Sequence, residues 1–277
     1  MISKTKSVEV YNYVKEHGHK KAMEEYGVSS DTIYRYCRRR KEEVRPWLLF
    51  GDLHAPYHHK RALEFLSHVH KKYDCRNHVY CVGDLYDFHS MSRHTTELDS
   101  TSPDVEYHKA TQFVGELAEL FPLGTLTIGN HDAIPQRQLK EICVSTALLK
   151  EVNELYNLPS TWKVEHLYAT IPEIDVLIEH GIGSNGVNGA INSAIAKQCS
   201  YIQGHMHAFP GTAYRASHFA LRWAMNTGCL ADNTSLAMRY GRYSKNKGVL
   251  GCGLVYPASG IIGEHAVFIP MNPTKES

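Results

Sequence analysis

Asp52, His54, Asp84, Asn130, His180, His205 and His207 are the residues of this chain best suited to metal chemistry. They stand in five short polar motifs: Gly51-Asp52-Leu53-His54, Gly83-Asp84-Leu85-Tyr86-Asp87, Gly129-Asn130-His131-Asp132, His180-Gly181 and Gly204-His205-Met206-His207. Oxygen and imidazole donors without thiolate suit Mn, Zn, Fe or Ni better than a soft metal. A ligand shared by two ions needs two usable oxygens, which a carboxylate has and a neutral imidazole lacks. Asp84, central in this order, is the expected bridge. Asp52, His54 and His207 would complete one divalent ion, and Asn130, His180 and His205 the other. Two divalent ions against two aspartates leave an excess of positive charge, which attracts a phosphate and stabilises charge that builds up in the transition state. Ions roughly 3.5–4 Å apart can also share a hydroxide that attacks phosphorus at neutral pH.

Residues so far apart in sequence can meet only at the rim of a folded sheet. Short apolar runs precede the motifs: Trp47–Phe50, Val79–Val82, Thr125–Ile128, Asp175–Ile178 and Ser200–Ile202. Runs of this length read as buried strands. Helical patterns over Lys60–Lys72 and Tyr107–Leu120 alternate with them. Ligands in open α/β sheets gather at the C-terminal ends of strands, where each of these motifs lies. Val249–Val255 and Ala266–Ile269 read as further strands of a second sheet, and Asn226-Thr227-Gly228-Cys229 as a structural turn in it. In the insert 135–170, Val144, Leu148, Leu149, Val152 and Leu155 predict a helix, as a cap or a self-association surface.

The 277 residues suffice for one large domain and a small one. No apolar run reaches bilayer length, and no secretory signal is recognisable. Seven cysteines, never in a C-x-x-C pair, suit free thiols and a cytoplasmic setting. The net charge of +1 hides an asymmetry: residues 1–45 hold 11 Lys/Arg against 7 Asp/Glu.

The motifs D-x-H, G-D-x-x-D, G-N-H-D, H-G and G-H-x-H, in this order over about residues 47–270, resemble the calcineurin-like metallophosphoesterase family. The resemblance implies an α/β fold, a four-layer αββα sandwich over residues 46–277, with two divalent ions, manganese foremost. It also implies that His131 contacts the substrate phosphate and protonates the leaving group. Alkoxide departure needs such a proton. Protein-phosphatase members of the family carry an Arg just after G-D-x-x-D; here Phe88 and His89 stand there. That departure, with Met206 in the last motif, resembles the nuclease and phosphodiesterase branches. A diester carries less negative charge than a monoester and needs less cationic clamping. Asp87, His58, His89 and Arg93 are candidates for substrate contact or structural support, and Asp132 for a helix cap. The polar loop Ser90–Asp104 is a candidate lid. Arg239 and Arg242, interleaved with tyrosines, suit phosphates and stacked bases.

Residues 1–45 read as a small helical module. Val8, Tyr11 and Val14 mark a first helix, a second runs from about Lys20 to Tyr26, and Ser29 or Ser30 caps a third. Ala22 through Ile33 resembles a helix-turn-helix. That reading puts Ser30, Asp31, Tyr34 and Arg35 in a major groove and Arg38, Arg39, Arg40 and Lys41 on phosphates. The expectation is therefore a dinuclear phosphodiesterase or nuclease acting on DNA or RNA, an arrangement that also suits phage proteins. Two alternatives stay open: a phosphomonoesterase or cyclic-nucleotide phosphodiesterase whose module binds a protein, and a DNA-binding regulator with an inactive phosphoesterase domain.

Overall fold

The structure, a computed structural model, describes residues 4–92, 101–145, 150–232, 234–235, 246–259 and 261–272. The core of the molecule is set by strands whose alternate residues serve two different hydrophobic layers. In β1 (Trp47–Phe50), Leu48 and Phe50 point to one side, and Trp47 and Leu49 to the other. In β2 (His78–Cys81), Val79 and Cys81 share the first side, and Tyr80 the second. A strand buried on both faces has no polar positions, which is why these runs are continuously apolar.

The first sheet has six strands in the order β11-β10-β1-β2-β3-β4. It adds β3 (Leu123–Thr127), β4 (Trp162–Glu165), β10 (Gly251–Tyr256) and β11 (His265–Pro270). The second sheet has five strands in the order β5-β6-β7-β9-β8. They are β5 (Ala169–Thr170), β6 (Val176–Ile178), β7 (Ser200–Gln203), β8 (Gly211–Ala216) and β9 (Leu221–Asn226). Each sheet has a parallel set, β1-β2-β3-β4 in one and β6-β7-β9 in the other, with antiparallel partners beside it.

The sheets face each other through Leu49, Tyr80, Val82, Ile178, Ile202 and Met225. Helices α4 (Ala62–Lys72) and α5 (Pro103–Leu120) cover the outer face of the first sheet with Leu66, Val69, Val114 and Leu117. Helix α8 (Gly189–Lys197) covers the second with Ile191 and Ala194. These are the four layers of the expected αββα sandwich.

Two sequence expectations change. β10 and β11 belong to the first sheet, not the second: β10 runs antiparallel beside β1 and completes the side that β2 leaves open. Among the described residues the insert begins with α6 (Ile134–Glu141) and then holds one helical turn, α7 (Val152–Leu155). Val144 lies outside both, and Leu148 and Leu149 lie outside the described residues. Tyr156 and Leu158, just after α7, enter the core of the first sheet. The hairpin β8–β9 had no clear strand signal, because β8 is largely exposed and its alternation is weak. Among the described residues no helix is long and apolar enough to cross a membrane.

The N-terminal helices α1 (Lys4–His17), α2 (His19–Tyr26) and α3 (Ser30–Val44) close on Val10, Ala22 and Ile33. Gly27 makes the α2–α3 turn in the left-handed conformation, its N–H donating to the Met23 carbonyl. Ser29, rather than Ser30, stands at the start of α3, its Oγ 3.4 Å from Thr32 N.

The last turns of α3 dock on the body. Arg45 donates to the carbonyls of Asp74 and Cys75, and Lys41 pairs with Asp74 at 3.0 Å. Arg76 donates to the carbonyls of Glu43 and Arg45. Arg40 donates to Ser259 Oγ at 3.0 Å and reaches Glu43. Arg40 is thus turned to the body, correcting its assignment to phosphates, whereas Lys41 stays exposed beside Asp74. Tyr34, Arg35 and Arg38 are exposed; the Arg39 side chain lies outside the described residues.

His58 also departs from a substrate role. Its ring lies flat on Phe113, with centroids 3.5 Å apart. Burial, helped by His59, lowers its pKa to about 4. An unfolded histidine titrates near pH ~6.5, so the unfolded chain takes up this proton first. The contribution to stability is whole above about pH 6.5 and is lost as pH falls towards 4, by about 3 kcal/mol in total. His58→Phe is therefore expected to flatten the acid limb of stability. Urea unfolding at pH values across this window measures it, and an unchanged slope contradicts this account of His58.

Candidate metal centre

The five motifs follow β1, β2, β3, β6 and β7, so each arrives at the C-terminal edge of its strand. Both sheets bring those edges together. The loops are laced by backbone bonds: Asp52 N–H to the Gly83 carbonyl, His54 N–H to that of Asp84, and Gly204 N–H to that of His180. Four of the expected ligand residues hold left-handed backbone conformations: Asp52 and His54 at φ 51°, Asp84 at 49° and His205 at 65°. Each such residue costs about 1–3 kcal/mol and persists only where its surroundings over-determine it. The lacing is that surrounding constraint, and the sharp turns aim consecutive side chains at one point.

Asp84 lies at that point, 2% exposed. Its Oδ1 accepts the His131 backbone N–H at 2.9 Å. Its Oδ2 stands 3.1 Å from His180 Nε2 and 3.7 Å from His54 Nε2. On one side, Asp52 Oδ1 lies 2.9 Å from His207 Nε2, which is itself 3.3 Å from His54 Nε2. On the other, Asn130 Oδ1 lies 3.0 Å from His180 Nε2, and the His205 ring is 5.1 Å from that of His180. Donor atoms of Asp52, His54 and His207 lie within 4.8 Å of one another; so do those of Asp84, His180 and His205, and those of His54, Asp84 and His131. The structure thus brings all seven expected ligand residues, and His131, into one cluster.

The rings are oriented from behind. His180 Nδ1 donates to the Val82 carbonyl at 2.8 Å, which turns Nε2 to the cluster. His54 Nδ1 donates to Asp87 Oδ1 at 2.6 Å, with the same effect. His131 Nδ1 lies 2.9 Å from both the Asp87 carboxylate and the Asp87 carbonyl. One buried carboxylate therefore fixes a candidate ligand and the candidate acid. Such outer hydrogen bonds set the tautomer and basicity of metal-ligating histidines.

Two glycines leave room that no other residue could. A Cβ on Gly129 would stand 2.1 Å from Asp84 Oδ1, and one on Gly204 2.3 Å from Asp52 Oδ2. The pocket also favours positive charge. Burial alone would depress His180 and His131, yet Asp84 and its neighbours raise them to about 10 and about 9. Burial raises Asp84, but His180, His131 and His54 outweigh it and hold the carboxyl well below the usual range. A compact cradle of carboxylate, amide and imidazole donors fits two divalent ions.

The remaining candidates fall in different places. His89 is held by its backbone, its N–H donating to Glu106 Oε1 at 2.6 Å. Asp132 caps no helix: its two oxygens accept the N–H groups of Tyr86 and Gly129, tying the second motif to the third. Arg93, Arg239 and Arg242, and much of the expected lid, lie outside the described residues.

Two supporting residues, Glu106 and Tyr156, escape the sequence reading. Glu106, 1% exposed, accepts from His89 N and Ser90 N. Its signal was a lone acid on the apolar stripe of α5. Tyr156 donates to the Asp132 carbonyl at 2.6 Å. Asn226, expected to be structural, donates to the Met206 carbonyl at 2.6 Å and so braces the last motif.

A family model for calcineurin-like phosphoesterases matches residues 46–208. The chain belongs to this family. It is a metal-dependent phosphoesterase, and its Asp/His cluster is where the family's two divalent metals find candidate sites. No curated protein matches the chain.

Asp87→Asn tests the bracing of the two rings in this phosphoesterase. An amide at this position can no longer accept both Nδ1–H bonds as a carboxylate, so metal affinity and turnover should each fall about 10–100-fold. Metal titration and initial rates measure this; wild-type values for both would contradict the orienting role.

Proposed function

We propose that this phosphoesterase cleaves phosphodiesters in nucleic acid, with Asp84 bridging two divalent ions. Asp52, His54 and His207 would hold one ion with it, and Asn130, His180 and His205 the other. When bound, the ions supply Lewis-acid polarisation of the phosphoryl oxygens and an activated water. The protein itself supplies the rest. Asp87 holds His131 by Nδ1, which leaves Nε2 to deliver a proton to the departing oxygen. The same imidazolium can hold a non-bridging oxygen until the bond breaks. Proton delivery of this kind is worth about 10²–10⁴-fold in rate.

One observation carries the preference for diesters. Phe88, at the position where related phosphatases place a clamping Arg, is buried and stacks on Tyr86 with ring centroids 5.2 Å apart. No cation can reach the phosphate from there. A substrate with one charge fewer, and with a poor alkoxide leaving group, matches a site with an acid in place and no such clamp.

The N-terminal module supports nucleic acid as the polymer. Tyr34, Arg35 and Arg38 form an exposed aromatic and basic face on the helix that follows the Gly27 turn. This face is no part of the catalytic floor. The last turns of α3 rest on Asp74, Cys75 and Ser259, at the N-terminal edge of the first sheet, whereas the metal cluster lies at the C-terminal edge. The module therefore acts as a tether that concentrates the enzyme on its polymer. The metal is manganese in this reading.

A substrate panel with Mn²⁺ tests the reading: a phosphomonoester, bis-p-nitrophenyl phosphate, a cyclic nucleotide, DNA and RNA. Diesters, including nucleic acid, should turn over faster than the monoester. His131→Ala should lower kcat on DNA about 10²–10⁴-fold with metal content unchanged. Paired substitution of Arg35 and Arg38 by Ala should weaken action on long DNA and spare the small diester. Faster monoester hydrolysis, or inert DNA and RNA, would contradict it.

A further inference from the structure

The cation absent from the second motif has a counterpart elsewhere. Helix α6 starts three residues beyond His131, and its fourth residue, Arg137, turns back to the site. Arg137 Nη2 donates to the main-chain carbonyl of Asn130 at 2.8 Å. That bond brings a guanidinium against the backbone of a candidate metal ligand and next to the candidate acid. The side chain is nevertheless exposed, whereas Asp52, His54, Asp84 and His180 are buried. Arg137 is thus at the rim of the centre and not on its floor. Lys140, also exposed, follows at i+3 on the same helix, so the two cations share one face.

A guanidinium offers five N–H donors in a fixed fork, and one bond to a carbonyl leaves most of them to an anion. A small diester ends at the metal centre and has nothing to place at the rim. A polynucleotide carries a further phosphate on each side of the scissile one. We infer that Arg137 binds a phosphate flanking the scissile one, with Lys140 extending the track, and so makes this centre selective for polymeric diesters. The inference rests on the nucleic-acid reading given above and adds a specificity residue to it. The carbonyl bond fixes the guanidinium relative to Asn130, so the flanking phosphate is held in register with the attacked one.

The test compares Arg137→Gln, Arg137→Lys and wild type, each loaded with Mn²⁺, on a single-stranded oligonucleotide and on bis-p-nitrophenyl phosphate. Glutamine keeps an amide donor but brings no charge; lysine keeps the charge. The readout is kcat/KM against salt concentration, because each lost phosphate contact lowers the logarithmic salt slope by about 0.7 on a single strand. Arg137→Gln should lower kcat/KM on the oligonucleotide several-fold and lose about one such increment of slope. Its kinetics on the small diester should stay at the wild-type level, and Arg137→Lys should keep the slope. An unchanged slope in Arg137→Gln overturns the inference, as does an equal loss on both substrates, which would mark a purely structural bond to Asn130. If wild type cleaves the small diester but no oligonucleotide, the nucleic-acid reading itself fails, and the inference falls with it.

Discussion

A carboxylate held almost without solvent at the meeting line of two sheets sets the terms for the rest of this structure. Asp84 is 2% exposed, and a buried charge is tolerated only when it is paired and hydrogen-bonded. Its partners come from three other loops: His131 N–H on one oxygen, His180 and His54 near the other. Those contacts require left-handed turns at Asp52, His54, Asp84 and His205, glycines at 129 and 204, and straps between neighbouring loops. The sandwich can be seen as the frame that makes this crowding affordable. It places five strand ends side by side and buries the apolar remainder.

Asp87 extends the same logic outward. One oxygen meets the Nδ1 of both His54 and His131, so a candidate ligand and the candidate acid are set by a common reference. Glu106 then holds the loop that carries Asp87 from behind. The chain after Asp87 turns at Phe88, which is buried, and Arg137 brings a guanidinium to the rim beside the Asn130 backbone. The N-terminal helical module stands across the first sheet from all of this.

Much of the candidate centre was legible in the sequence because each candidate ligand follows an apolar run that folds as a strand. The order of Asp52, Asp84 and Asn130 follows adjacent parallel strands, β1, β2 and β3, so the motifs mapped directly onto a rim. What could not be read depends on contacts between distant segments. Asp132 looks like a cap because it precedes a helix, but its acceptors are claimed by Tyr86 and Gly129. Arg40 looks like a phosphate ligand because it sits in a basic run; only the docking of α3 turns it to Ser259. β10 and β11 went to the wrong sheet because strand content does not specify which neighbour a strand joins. The pairing of Trp47 with Val255 spans nearly the whole domain and leaves no local trace.

Metal content measures most directly whether Asp84 is shared by two metal ions. Wild-type protein reconstituted with Mn²⁺ and freed of excess should retain about two ions per chain, and Asp84→Asn should lose both together while staying folded by circular dichroism. His207→Ala, which removes a ligand from one side only, should retain one more tightly than Asp84→Asn does. If Asp84→Asn keeps one ion at wild-type affinity, or if wild type never holds more than one, Asp84 is not the bridge and the account of this centre is wrong.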